Sequence, residues 1–511
     1  MRMLSASNGM VRAALDYQAV LFNYEFDFLH PLVKAIGCFT RAEAKRAFES
    51  RPRETIEQHR ELLGYNWDIF LRHLRSGLEA ASEYHSSEFS EAFAAWLNTF
   101  SGGADGAEDI FSYLDAQKRI AHHLAWQYPR EIREIGEDFG FHFEREGYEK
   151  VGETDRFLVY QVFPTKPGTK VRKDGKPVLV VPPNVLGGDI LAFLPGDNRS
   201  YTHLFANQGI PTYIRILKDI EGNTAVQTMT LEDDITDTRS FAETIRKRHG
   251  RSITLNGYCQ GGLLTLANIL SGELDGLVDT HVTAVSPIDG SRSKGFARFL
   301  GQLPSRFNYL EYGTRILENG NQVVDGDLMS WIYKVKSIDE EGPMVAFYRD
   351  LAMLRKLERK GRKISRTATA LNYWLTYQRH DLPVETTRIS FASYNTPIAD
   401  DGTMPFTAFG RKLNMNRIKE KGFKWLICYG EDDTLVEKDT ALAPLDHIEA
   451  EVTPFPKGHV AIAIFWSSPE SEYALNTRFG DKGYRGPVRF HLDVEAEENR
   501  ARSGKKKKEQ S

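Results

Sequence analysis

Cysteine is scarce: Cys38, Cys259 and Cys428 are the only three in a chain of 511 residues. Their odd number and wide spacing exclude a disulfide framework and a Cys/His zinc module, so they read as reduced thiols of a cytoplasmic protein. Long apolar runs are missing too. The longest, Val460 to Trp466, falls far short of the ~20 residues that a membrane-crossing helix needs. Met1 to Gly9 lacks the basic-then-apolar order of a secretory signal, so export is not expected. Asn198-Arg199-Ser200 then reads as a helix start rather than a glycosylation site. An excess of positive charge is also absent: 66 Lys and Arg stand against 70 Asp and Glu, a net charge of −4. That excludes the basic surplus with which nucleic-acid binders neutralise phosphates. The sequence holds no Gly-x-x-x-x-Gly-Lys-Ser/Thr loop and no His/Cys cluster at metal spacing, so neither a cofactor nor a metal is expected. What remains is ordinary globular composition, 41% apolar and 27% charged, in a chain too long for one core.

The order of patterns along the chain divides it. Residues 1–144 read as a helical accessory region, with apolar residues at three- and four-residue steps, as in Trp67, Phe70, Leu71 and Leu74. The Gly-rich stretch 101–106 reads as a flexible loop within it. From 145 to 288 short β-rich runs alternate with helical ones. Phe157 to Phe163 enters a sheet, Val178-Leu-Val-Val181 suits a strand buried on both faces, and Pro211 to Leu217 and Ile253-Thr-Leu255 follow. A helix over Asp234–Lys247, with Ile235, Phe241, Ala242 and Ile245 on one side, links two of them. This alternation predicts βαβ units and a mostly parallel sheet. Residues 289–413 lose it and read as an inserted helical, aromatic cap. The strand pattern resumes over 414–495 with Phe423 to Tyr429 and Ala450 to Phe455, and 496–511 is a basic tail read as disordered.

One turn in this frame carries chemistry. Strand Ile253-Thr-Leu255 runs through Asn256-Gly257-Tyr258-Cys259-Gln260-Gly261-Gly262 into a helical run, Leu263 to Leu270. A nucleophile on a sharp strand-to-helix turn needs small residues two before and two after it, so that strand and helix approach without Cβ clashes. Gly257 and Gly261 supply them. At a helix N-terminus the Cys259 thiol faces unpaired N–H groups that favour thiolate, and the Gln260 N–H can point at a developing oxyanion.

Such a nucleophile needs a base and an acid to orient it, in the order nucleophile, acid, histidine. After strand Phe423 to Tyr429 comes Gly430-Glu431-Asp432-Asp433-Thr434. Asp433 is the expected acid, with Asp432 and Glu431 as alternatives. The turn Pro456-Lys457-Gly458-His459 follows the last strand and offers His459 as the base. A second oxyanion donor is expected from the loop after Val178–Val181, where Pro182 and Pro183 lack N–H groups. That leaves Asn184 and Val185, while Gly187 and Gly188 read equally well as turn glycines.

Val181-Pro-Pro-Asn184, Gly257-Tyr-Cys-Gln-Gly-Gly262, Tyr429-Gly-Glu-Asp-Asp-Thr-Leu-Val436 and Gly458-His-Val460 fall in one order over about 176–465. In this the chain resembles the polyhydroxyalkanoate synthase family, an α/β-hydrolase branch with cysteine in place of the serine of lipases. The resemblance implies an α/β-hydrolase fold and a Cys259, Asp433 and His459 triad. The activity it implies joins hydroxyacyl groups from coenzyme A thioesters into a polyester. Hydroxyacyl-coenzyme A and the polyester chain are then the implied partners, with a polyester granule surface and a second copy of the chain as further ones. The chain departs from the family pattern at Thr434, where histidine is common, and at Trp374 to Pro383, which only echoes a Trp-Asn-x-Asp stretch. Two other readings compete: hydrolysis by the same triad, as in a polyester depolymerase, thioesterase or dienelactone hydrolase, and a non-catalytic relative that binds a granule, membrane surface or partner.

Overall fold

A computed structural model describes residues 2–48, 52–101, 107–185, 187–303, 310 and 313–495. The centre of the Gly-rich loop expected at 101–106 and the basic tail expected at 496–511 lie outside the described residues. Two compact units result. One comprises Met1–Glu137 with Asp327–Tyr377, and the other Asp138–Gly326 with Gln378–Ser511.

Among the described residues the regular elements of the first unit are all helices. Its long helices are α1 (Arg2–Phe48) and α2 (Pro52–Ser101), followed by α3 (Ile110–His122), whose N-cap Asp109 accepts a bond from the Ser112 N–H. Further helices, among them Pro343–Arg359 and Arg366–Tyr377, belong to the same unit. Amphipathic helices must bury one stripe, and here the stripes meet in a core of Val20, Tyr84, Ile120, Leu124, Tyr128, Phe347, Leu351 and Leu354. Tyr17 and Tyr24 of α1 present edges to the Phe347 ring at 5.6 and 5.9 Å, and the Tyr24 hydroxyl donates to Asp350 at 2.6 Å. Gly77 lets α2 approach Met344, whose side chain a Cβ there would strike.

The cap expected as one insertion over 289–413 is therefore divided. Residues 327–377 complete the core of the N-terminal helices, because helix Pro343–Arg359 offers the apolar stripe that α1, α2 and α3 require. The rest of that segment is not all helical. Thr314–Ile316, Gln322–Val324 and Leu382–Pro383 form a three-stranded sheet, and Thr403–Ala408 pairs with Arg411–Asn414 in a hairpin. The hairpin turns on Phe409 and Gly410, both at positive φ, as a two-residue turn between right-twisted strands requires.

The second unit is built on an eight-stranded sheet: β1 (Tyr148–Glu153), β2 (Phe157–Val162), β3 (Val178–Val181), β4 (Thr212–Leu217), β5 (Ile253–Tyr258), β6 (Val278–Ala284), β7 (Lys424–Gly430) and β8 (Glu451–Phe455). Their spatial order is β1-β2-β4-β3-β5-β6-β7-β8. β2 runs antiparallel to β1 and β4, and every later pair is parallel. This order and sense define the α/β-hydrolase fold. β3 and β5 are buried along their whole length, as strands covered on both faces must be. Helix α4 (Leu231–His249) begins with a Thr230/Asp233 capping box and ends at Gly250 in the left-handed region. Its inner face buries Ile235, Phe241, Ala242 and Ile245 against Leu255 and Leu264 in the main core. Beside them the buried Arg215 of β4 stacks its guanidinium 4.2 Å from the Phe157 ring centre and donates to Asp234 at 2.8 Å. Ser200 caps helix Tyr201–Ala206 by accepting from the His203 N–H, the helix-starting use expected of it.

Candidate active site

Cys259 stands between β5 and α5 (Gln260–Ser271) with φ 51° and ψ −124°, a conformation that costs a non-glycine residue free energy. The surroundings enforce it. The Cys259 N–H donates to the Ala284 carbonyl at 2.8 Å, and its carbonyl accepts from the Gly262 N–H at 2.9 Å. Each glycine of the motif has its own steric reason. A Cβ on Gly257 would overlap the Gly262 backbone, and one on Gly261 would overlap the Val181 carbonyl. A Cβ on Gly262 would run into the Ser286 side chain. The first two follow from the strand-to-helix approach read in the sequence. The third depends on Ser286, just beyond β6, which only the fold brings there.

His459 and Asp433 arrive from loops after β8 and β7. His459 Nδ1 lies 2.8 Å from Asp433 Oδ2, and the imidazole is near enough to Cys259 to interact with it electrostatically. Asp433 is buried, and its other oxygen accepts the Leu435 and Val436 N–H groups, each at 2.9 Å. Glu431 and Asp432, the alternatives left open by the sequence, are exposed. Burial opposes charge on His459, but Asp433 and Cys259 outweigh it and hold the imidazole well above its ordinary titration range. Tyr258, beside the nucleophile, donates its hydroxyl to the His459 carbonyl at 2.9 Å and so ties the histidine loop to β5. Sequence reasoning passed over this residue. Its only signal was a Tyr between Gly257 and Cys259, which does not tell where the ring goes.

The oxyanion region differs from expectation in one respect. Gln260 offers its backbone N–H at the first position of α5, where no intrahelical acceptor exists. The Asn184 and Val185 N–H groups are engaged: both donate to Gln260 Oε1, at 3.1 and 3.3 Å. Gln260 Nε2 in turn donates to Ser390 Oγ at 3.0 Å, on α6 (Val384–Asn395). Gly187 takes φ +70° in this loop, where a Cβ would meet the His380 ring. A cavity of about 390 Å³ abuts the loop, lined by Pro183, Asn184, Asp189, Lys218 and His380 among others; Cys259 and His459 are not in its wall. Among the described residues no group of three or more His, Cys, Asp or Glu could hold a metal ion, and no helix is long and apolar enough to cross a membrane.

No family model matches the chain, and no curated protein does. Solved structures of the α/β-hydrolase fold are similar at low identity. A carboxylesterase of Nitrososphaera gargenis shares 13% identity over 62% of this chain and 92% of its own, with a TM-score of 0.34. The carboxylesterase CesB of Bacillus subtilis shares 10% over 66% and 92%, at 0.31. The thioesterase domain of the curacin biosynthetic pathway shares 10% over 63% and 95%, at 0.35. The fold itself rests on the strand order above, and the chemistry of the site on the contacts among Cys259, His459 and Asp433.

Proposed function

We propose that this chain is a cysteine-nucleophile acyltransferase that takes hydroxyacyl groups from coenzyme A thioesters and joins them into a polyester. The observation that carries the reading is the His459–Asp433 hydrogen bond at 2.8 Å beside the Cys259 turn, with Cys259 and Asp433 both acting on the imidazole. His459 accepts the thiol proton, and Asp433 fixes the imidazole orientation and stabilises its positive charge. The thiolate attacks the thioester carbonyl carbon, the new C–S bond forms, and the carbonyl electron pair moves onto oxygen, opposite the Gln260 N–H. Collapse expels coenzyme A thiolate, which takes a proton from His459. A hydroxyl of the growing chain then attacks the acyl-enzyme with His459 as base. Thiol against thioester is a near-balanced exchange, which suits a nucleophile that must also leave. The donor and acceptor are those that the resemblance of residues 176–465 implies.

The test is incubation of the purified chain with 3-hydroxybutyryl-coenzyme A, following free thiol and product mass. Thiol release with oligomeric ester is the expected result. Release with free hydroxy acid alone would replace transfer by hydrolysis. Turnover unchanged in Cys259→Ala would overturn the catalytic reading altogether, whereas His459→Gln is expected to leave covalent labelling slow rather than absent.

A further inference from the structure

The Gln260 side chain sits in an unusual place for a residue whose backbone does the chemistry. It belongs to the helix turn that carries Cys259, is 4% exposed, and spends both ends of its amide on other elements. Its oxygen accepts from the Asn184 and Val185 N–H groups, and its nitrogen donates to Ser390. Pro182 and Pro183 have no N–H to offer, so Asn184 and Val185 are the first two backbone donors that the loop after β3 possesses. An amide oxygen on this pair accepts the hydrogen bonds that a thioester carbonyl would seek there. The same loop also holds a donor not yet spent: Asn184 Nδ2 is buried and has no partner.

We propose that the Gln260 side chain is a latch that closes the second half of the oxyanion site, and that acylation of Cys259 requires it to leave. When the thiolate attacks and the carbonyl electron pair moves onto oxygen, that oxygen needs donors besides the Gln260 N–H. Departure of Oε1 frees the Asn184 and Val185 N–H groups to supply them. Because Nε2 is tethered to Ser390, the latch couples α6 to the state of the nucleophile. The inference rests on the acyl-transfer reading above and adds to it a gate at the acceptor of negative charge.

The experiment compares single-turnover coenzyme A release from 3-hydroxybutyryl-coenzyme A with alkylation of Cys259 by iodoacetamide, in the full chain and its variants. Alkylation passes through no oxyanion, so the ratio of the two rates isolates the donor site from thiol access. Gln260→Ala keeps the backbone N–H and removes the latch, and the ratio is expected to rise about tenfold. Gln260→Glu holds the same N–H groups with a carboxylate and is expected to lower it at least tenfold. Ser390→Ala frees the tether and is expected to raise it two- to threefold. Release by the wild type with no gain in Gln260→Ala, at an unaltered unfolding curve, would overturn the latch alone and make the amide a strut. No release by either form would overturn the acyl-transfer reading and the latch with it.

Discussion

Replacing Gly262 by Ala puts one methyl group into the tightest contact of the nucleophile turn. That methyl would overlap Ser286 Oγ, lie 2.5 Å from Ser286 Cβ and come within 3.3 Å of the Gly257 carbonyl. Rotation of the Ser286 hydroxyl cannot relieve it, because the Cβ is itself too near and Ser286 is only 2% exposed. Overpacking of this kind costs about 1–3 kcal/mol, partly offset by the ~1 kcal/mol that Ala gains over Gly inside a helix. The loss in stability is thus about 0–2 kcal/mol. The loss in chemistry is larger, since α5 must shift away from β6 and carry Cys259 with it, and a 1 Å misplacement costs roughly a hundredfold in rate. Ser286→Gly removes both offending atoms. The double variant is therefore expected to recover most of the alkylation rate of Cys259 and most of the stability in denaturant, with a coupling of about 2 kcal/mol between the sites. Gly261→Ala is the control: its methyl meets the Val181 and Pro182 carbonyls, which are backbone, so Ser286→Gly should not help it. A double variant as slow as Gly262→Ala would refute the steric account of the third glycine.

Asp433→Asn removes the charge 2.8 Å from the His459 ring and is expected to lower turnover roughly a hundredfold near neutral pH, from about 3 kcal/mol of lost imidazolium stabilisation. His459 is held above its ordinary value, so its contribution to stability is full below ~6.5 and is lost as pH rises through the folded value. The stability gap between wild type and Asp433→Asn should accordingly be widest in acid and narrow as pH rises, in denaturant curves taken across pH. Tyr258→Phe deletes the 2.9 Å bond to the His459 carbonyl and is expected to cost about 1–3 kcal/mol in stability, with turnover falling more than alkylation. Burial depresses His203 to about 4 and His281 to about 3. Below ~6.5 the unfolded chain takes up protons that the fold refuses, so stability should fall by several kcal/mol between pH 7 and pH 4. An unfolding midpoint flat across that range, in the full chain, would contradict the neutral, buried state of both rings.

How much of this was legible in the sequence differs by residue. Gly257, Cys259 and Gly261 could be read because their constraint is local: a strand, a turn and a helix within ten residues of one another. His459 and Asp433 could be placed by order, since each follows a strand at the same edge of the sheet. The choice of Asp433 over Asp432 and Glu431 depends on which carboxylate turns inward, and that is set by the Leu435 and Val436 N–H groups in three dimensions. The capture of Asn184 and Val185 by Gln260 was not legible, because a glutamine side chain joining β3, α5 and α6 leaves no periodic trace. Phe409-Gly410 lacks the Asn-Gly or Asp-Gly signature of its turn, so the hairpin read as part of a helical cap. Residues 343–359 read only as part of a helical, aromatic cap over 289–413. They carried no sign of which helices would bury them.

The divided first unit has a consequence for the order in which the chain is made. Helix Pro343–Arg359 leaves the ribosome roughly 240 residues after the end of α2, which at about 5–20 residues per second is some ten to fifty seconds. During that interval α1, α2 and α3 are complete, yet Tyr17 and Tyr24 have no Phe347 to pack on and Tyr24 has no Asp350 to bond. The N-terminal helices are first in sequence and among the last to close their core. A nascent chain halted anywhere between them and residue 343 carries that unfilled groove, and holding it apart from other apolar surfaces is a task that synthesis of this protein imposes on the cell.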